Sequence, residues 1–317
     1  MASTDATPRT VAPAPSAPGR RPARRSRRRG SRAVAIAFLL PALAVSLLVI
    51  GGPGASSFFY ALTDWDGFTT PSFTGLENVT RLVADSNFWN AISHNAIYLL
   101  TFITVPMAMG LGAAFMLSRI RRGTAPLRVI YFVPYLFASV VTAQVWKNLL
   151  SPSSGIASAL NKIGITALDD VFFFGDTRLA LFSVMAVDVW QFWGFLVVLF
   201  LAAMQGIDQS RFEAARIDGA NAWHEFWHIA LPGIRPTLTF AFMIISLWSL
   251  LTFNFVFVLT GGGPAGSSDV VALLVNRVAF EQLQAGYATA IALAMSFLGA
   301  LLLVIFHFIR RGEEEGL

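Results

Sequence analysis

The residues best placed to do chemistry are His224, Glu225 and His228, which spell HEFWH over 224–228. On a helix, an H-E-x-x-H pattern sets two imidazoles one turn apart on one face. There they can share a zinc ion, with the glutamate between them to activate water. That constellation is half a site, because catalytic zinc normally takes a third protein ligand. The other two histidines, His94 and His307, belong to distant apolar runs and form no cluster with it. Asp208 and Asp218 lie in the same short segment, Asp188 falls deep in an apolar run, and Asp269 belongs to a later loop. With no cysteine in the chain, disulfides, thiol nucleophiles and cysteine metal sites are excluded. A zinc protease stays open as an alternative.

Nucleotide chemistry is easier to exclude. A P-loop needs G-x-x-x-x-G-K-[ST], whose backbone amides and lysine hold the phosphates. The two lysines, Lys147 in VWKNLL and Lys162 in NKIGIT, have neither the preceding glycine nor the following hydroxyl residue. LTGGGP over 259–264 lacks a lysine and reads as a flexible turn. Any energy from ATP must come from a separate subunit.

The elements that position these residues are set by hydropathy. The 317 residues are 55% hydrophobic and 13% charged, half the charged share of a soluble domain, and the mean hydropathy is +0.62. Six apolar runs, roughly 33–62, 92–118, 127–149, 179–204, 237–260 and 285–309, are long enough to cross a bilayer. None shows the period-two alternation of a barrel strand, so the expected fold is all-α: a polytopic membrane protein with six transmembrane helices. Basic residues fix its orientation. Eighteen arginines fall in residues 1–32, 119–128, 205–236 and 310–311, against five basic residues on the alternate loops. The positive-inside rule places both termini and the HEFWH loop in the cytoplasm of a multi-pass plasma (inner) membrane protein.

Residues 1–32 hold nine of those arginines among Pro, Ala and Ser, and read as a disordered cytoplasmic tail touching anionic lipid headgroups. A nucleic-acid arm and a cleaved secretory signal are the weaker alternatives, the latter because the run from Ala33 to Thr63 is far longer than a signal core. Residues 33–311 form the expected membrane domain, with its core at 90–309 and a cytoplasmic loop at 205–236. Residues 312–317 form a short cytoplasmic tail.

That loop, MQGIDQSRFEAARIDGANAWHEFWHIALPGIRP, is more regular than a connector needs to be. Ser210 and Glu213 have the spacing of a capping box, predicting a helix from about Arg211. Gly219 suits a left-handed position after that helix. A second helix is expected from about Asn221, ended by Pro232 and Pro236. The product is a helical hairpin.

Glu213, Ala214, Ala215, then Gly219, Ile229, Leu231 and Pro232 match the EAA-x3-G-x9-I-x-LP loop, so the chain resembles the binding-protein-dependent ABC importer permeases. FTGLENV (73–79), LRVIYFVPYLFASVVTAQVWKNLLSP (127–152), DVWQFWGFLVVLFLAAMQGID (188–208), FNFVFVLTGGGPAGSSDVV (253–271) and GYATAIA (286–292) are similar to the first, maltose-type permease of carbohydrate systems. The resemblance implies a transport subunit of an ATP-driven importer for a carbohydrate or related polyol, with no nucleotide site of its own, ATP and Mg being bound by the partner ATPase. It implies a second homologous permease subunit, an ATP-binding cassette ATPase dimer and an extracytoplasmic sugar-binding protein as partners, in membrane lipid and with no nucleic acid. In that family the loop docks on the ATPase. The resemblance makes Glu213, Ala214, Ala215, Asp218, Gly219, Ile229, Leu231 and Pro232 the coupling residues, and places His224 and His228 in the variable spacer.

Candidates for the substrate path are Asp188, Trp190, Gln191, Trp248, Asn254 and Phe255. Sugars are held by aromatic faces and by amide and carboxylate partners for hydroxyls, and these runs supply both. Asp188 is costly inside a membrane, so it either serves the path or hydrogen-bonds to neighbouring helices. An ATP-independent secondary carrier is the other transport alternative.

Overall fold

The computed structural model describes residues 30–120, 123–168 and 170–315. The expected tail lies outside the described residues up to residue 29, as do Arg121 and Arg122 of the basic loop and residues 316–317. The chain divides into two units at Pro53. In the first, α1 (Gly30–Ser46) begins two residues before the expected tail ends, carries Pro41, and passes into a π-helical turn at Leu47–Gly51. Then comes α2 (Gly52–Tyr60), and Ile36–Tyr60 is helical and apolar over 25 residues.

The second unit begins at Gly54, within α2, and after that helix come two antiparallel two-residue strands, β1 (Thr63–Asp64) and β2 (Ser72–Phe73), in the register Thr63 to Phe73 and Asp64 to Ser72. Everything after them is helix and turn among the described residues. There follow α3 (Glu77–Ala84), α4 (Ser86–Ser118), α5 (Thr124–Leu136), α6 (Ser139–Leu149), α7 (Ile156–Asn161) and α8 (Ala180–Gln205). Next come α9 (Gln209–Ile217), α10 (Ala222–Glu225), a π-helical turn at Phe226–Ala230, α11 (Leu231–Gly233), α12 (Arg235–Leu250) and α13 (Asn254–Leu259). The last are α14 (Val271–Asn276), a π-helical turn at Arg277–Glu281, and α15 (Ala285–Glu315), which extends over most of the expected 312–317 tail.

The apolar runs locate the long helices: Ser86–Ser118, Ala180–Gln205, Arg235–Leu259 and Ala285–Phe308 are each long and apolar enough to cross a membrane. Two of the expected spans are not simple rods. The third, expected over 127–149, is a pair, α5 and α6, bent by 91°. Pro134 stands in the last turn of α5 without an amide to donate, and Phe137 and Ala138 adopt extended backbone where the helix stops. The fifth is interrupted at 251–253 between α12 and α13. In a bilayer such irregular backbone is tolerated only where protein covers it or a cavity lies beside it.

The centre of the bundle is α8, which packs most extensively on α4 and next on α5. Val184, Leu196, Val197 and Phe200 of α8 are fully buried, and with Tyr98, Ala114 and Ile245 they form one continuous core. The approach of α5 to α8 requires a glycine: a Cβ on Gly194 would collide with the Tyr131 carbonyl.

Candidate functional site

Both helix interruptions open onto the same space. A cavity of about 280 Å³ is lined by Asp188, Gln191 and Phe192 of α8, Tyr135 and Ser139 flanking the first break, Trp248 of α12, and residues 251–255 at the second break. The polar side chains here complete the broken backbone. Gln191 Nε2 donates to the Phe137 carbonyl at 2.6 Å, just where α5 ends. Asn254 Nδ2 donates to Ser139 Oγ at 3.0 Å, joining the starts of α13 and α6. Asn95 of α4 donates to the Ser249 carbonyl at 2.7 Å and accepts from the Val271 amide at 3.0 Å, fixing the end of α12. The helices end where a carboxamide can satisfy the freed groups.

Asp188 accepts from the Tyr98 hydroxyl at 3.3 Å, a long contact for such a pair, and its carboxylate faces the cavity. Gln191 Oε1 is buried and has no protein partner, so one acceptor beside the cavity is unused. Aromatic side chains share the lining. Trp248 and Phe192 meet edge to face at 4.7 Å, and Tyr135 stacks on Phe195 at 5.0 Å. No lysine, arginine or histidine is among the described lining residues.

Of the six path residues expected from sequence, the structure brings five to this cavity: Asp188, Gln191, Trp248, Asn254 and Phe255. Trp190 is elsewhere. It stands two residues after Asp188 on the helix, about 200° round and so on nearly the opposite face, and its ring packs on Trp146 at 5.3 Å. Sequence reasoning missed Tyr135, Ser139, Phe192 and Thr252. Pro134 was the available signal for the first two.

At the other end of α8 the 205–236 segment folds as a helical hairpin. The predicted capping box does not form: α9 is capped two residues earlier by Asp208, which accepts from the Ser210 amide at 3.0 Å. That bond holds the Asp208 carboxyl below its usual range. At the far end Gly219 has φ of +85°. Its amide donates to the Arg216 carbonyl and that of Ala220 to the Ala215 carbonyl, closing the helix with a paired left-handed turn. Asn221 caps α10 through the His224 amide at 2.9 Å. Pro232 and Pro236 do not end the second helix. Each stands in the first turn of a helical segment, where its missing amide has no intrahelical partner to lose, and the chain bends between them at Ile234.

Glu213, Ala214 and Asp218 are exposed on α9 and its cap, Ala215 is half-buried, and Ile229, Leu231 and Pro232 are half-buried on the returning limb. Two large apolar side chains stand out at the tip: Ile217 is 86% exposed and Trp223 67%. Phe212 points the other way, into the core.

The HEFWH residues separate. The His224 and His228 rings stack at 5.1 Å on the exposed side of their helix, with His228 Nδ1 against the His224 carbonyl. Glu225 is buried, at 1% exposure, and faces inward. Its carboxylate meets Arg119 Nη1 at 2.7 Å and Arg216 Nε at 2.7 Å, with Arg216 Nη2 at 3.3 Å. The Arg216 hydrogen bond first, and the charge of Arg119 after it, lower the Glu225 carboxyl, while the Arg216 guanidinium is raised. A carboxylate so held is a poor base for water activation. Among the described residues no three His, Asp or Glu side chains come together as a metal-holding group.

Comparison with known proteins follows the same lines. Residues 12–313 match the family described as the binding-protein-dependent transport system inner membrane component. A probable ABC transporter permease of Pyrococcus horikoshii is 32% identical, over 88% of this chain and 97% of that one. The diacetylchitobiose uptake system permease of Streptomyces coelicolor is 30% identical, over 96% and 90%. In fold, the chain superposes with a TM-score of 0.76 and 23% identity on a chain of the bacterial ABC transporter that imports the acidic polysaccharide alginate, over 90% and 96% of the two chains. A mostly helical bundle with several membrane-long helices and a match over nearly its whole length leaves one assignment: the chain is an integral membrane protein of the binding-protein-dependent transport system inner membrane component family.

Proposed function

We propose that this chain is one of two permease subunits of an ATP-driven importer for a carbohydrate, and that it works by alternating access. The observation that carries this is the hairpin at 209–233. It lies outside the membrane-long helices, is rigidly capped at both limbs, and presents Ile217 and Trp223 to solvent beside Glu213 and Ala214. Exposed apolar side chains on a well-capped element suit a protein partner. The partner is a separate ATPase, since this chain has no phosphate-binding lysine loop of its own. Counting the bent pair α5 and α6 as one span gives six, with the hairpin and both termini in the cytoplasm as the arginine distribution requires. An extracytoplasmic binding protein, from which the family takes its name, delivers the substrate at the opposite face.

The cavity supports a saccharide as cargo. Trp248, Phe192 and Tyr135 offer ring faces for C–H surfaces, and Asp188, Gln191 and Asn254 offer partners for hydroxyls. With a carboxylate in the wall and no described cation, it suits a neutral saccharide better than a uronate polymer such as alginate. ATP-driven closure of the ATPases shifts the hairpin, and the two broken spans adjust around the cavity; the equilibrium moves only by the difference in contact between the two states.

The test is uptake by the assembled transporter carrying Gly219→Val or Glu213→Lys. The first forces a branched side chain into a backbone with φ of +85°, and the second reverses charge on the exposed face of α9. Both are expected to abolish uptake with membrane insertion intact. Normal uptake in both overturns the coupling role of the hairpin.

A further inference from the structure

We propose that Glu225 is a positioning residue that clasps the hairpin to α4 and so carries hairpin movement to the cavity; this rests on the importer reading above. Three elements meet at its carboxylate. Arg119 caps the C-terminus of α4, Arg216 belongs to the last turn of α9, and Glu225 ends α10. The two guanidiniums, with side chains 37% and 42% exposed, close over a carboxylate that is 1% exposed. Aromatic contacts reinforce the same joint. Phe115 of α4 meets Phe226 edge to face at 5.1 Å, and the Arg119 guanidinium lies 5.4 Å from the Phe115 ring.

The other end of this lever is the cavity. α4 also carries Tyr98, which bonds Asp188, and Asn95, which fixes the break between α12 and α13. Tyr98 and Arg119 are about 30 Å apart along one helix. Beside the clasp a second cavity, of about 400 Å³, separates α9 from the ends of α4 and α8, leaving room for the joint to move as a unit. Without Glu225 the hairpin is tied to the bundle by its chain ends and the aromatic contacts, while both arginines lose their buried partner.

Two variants separate clasp from scaffold. Glu225→Gln removes the charge that both arginines share. Arg119→Gln leaves the Arg216 pair within the hairpin and cuts only its link to α4. Because the chain has no cysteine, Met116→Cys on α4 and Arg211→Cys on α9, both exposed, can be spin-labelled without background. The label-to-label distance distribution is read in the full-length chain with its co-purified partners in nanodiscs. It is expected to be narrow in the parent and broad in both variants. ATP hydrolysed per saccharide imported is read in proteoliposomes and is expected to rise about tenfold, within the usual range of coupling between sites, with basal hydrolysis and assembly unchanged.

Unchanged distance distributions overturn the proposal whatever the transport result. So does broadening in Glu225→Gln alone, with Arg119→Gln like the parent in both readouts, because Glu225 then only folds the hairpin. Broadening in both variants of a chain whose parent complex imports nothing supports the clasp and removes the importer reading.

Discussion

The molecule holds carboxylates in two regions in opposite states of satisfaction. At the cavity, Asp188 has the Tyr98 hydroxyl at 3.3 Å, beside a Gln191 oxygen with no protein partner. At the hairpin, Glu225 receives three N–H donors from two arginines, two of them at 2.7 Å. Burial penalises an ionised group until its partners repay the loss of water. Where repayment is complete, as at Glu225, the group serves to fix geometry, because any ligand must first break what is made. Where it is partial, as at Asp188 and Gln191, the unmet demand points into a space that a hydroxylated ligand can enter. Two groups of one chemistry are thus given different work by their neighbours.

The contrast breaks most severely if the framework of the cavity region is forced apart. Gly194 lets α8 approach the Tyr131 carbonyl on α5, and the atom in the way is backbone. Gly194→Ala is expected to cost at least about 3 kcal/mol, the upper end of overpacking penalties, and to abolish monodisperse protein in detergent. Gly112→Ala, where a Cβ meets nothing within 4 Å, is its control and is expected to behave as the parent. A well-folded Gly194→Ala chain shows that the two helices separate easily and that the cavity wall is not fixed.

Next comes the direct exchange of charge for amide or methyl in the two regions. Glu225→Ala is expected to cost about 2 kcal/mol in thermal or denaturant unfolding, less than the roughly 3–5 of a fully buried pair because both guanidiniums keep over a third of their surface in water. Asp188→Asn is expected to leave stability unchanged or raise it, since a partly met charge is removed, while uptake falls about tenfold through the lost acceptor. The opposite pattern, an unstable Asp188→Asn and a silent Glu225→Ala, reverses the assignment of roles.

Much of this arrangement is written in local sequence. Charge-free runs locate the long helices because a bilayer-spanning segment must bury its own backbone, and Gly219 announces a left-handed turn that other residues reach only with strain. The hairpin's start is off by two residues because Asp208 competes with Ser210 for the same orphan amides, and the aspartate is nearer the end of α8. Pro134 hints at the bend after α5, whereas nothing in Leu251, Thr252 and Phe253 signals the second break, which depends on Asn95 far earlier in the chain. Trp190, two residues after Asp188, falls on the far face of α8 against Trp146. Glu225 is hardest of all: Arg119 is 106 residues away, and no spacing rule pairs them.

The smallest effects test the comparison by sign, between the hairpin and the pair made by buried Asp269 and half-buried Arg277. Arg216 and Arg119 hold Glu225 below the ordinary carboxyl range. Its contribution to stability is therefore complete above the unfolded value of about 4.3 and is lost as pH falls through the folded one. Asp269 is shifted upward, because burial outweighs the hydrogen bond and charge of Arg277. Its contribution is present below the unfolded value of about 3.9 and is lost as pH rises through the folded one. Between about pH 6 and pH 3, Glu225→Gln is then expected to lose less stability on acidification than the parent, and Asp269→Asn to lose more, as read from unfolding midpoints in detergent. Slopes that change in the same direction mean that one of the two carboxylates is not compensated as its partners indicate. If Glu225→Gln is the one that disagrees, the arginines at the hairpin contribute shape without charge, and the clasp reduces to the packing of Phe115 on Phe226.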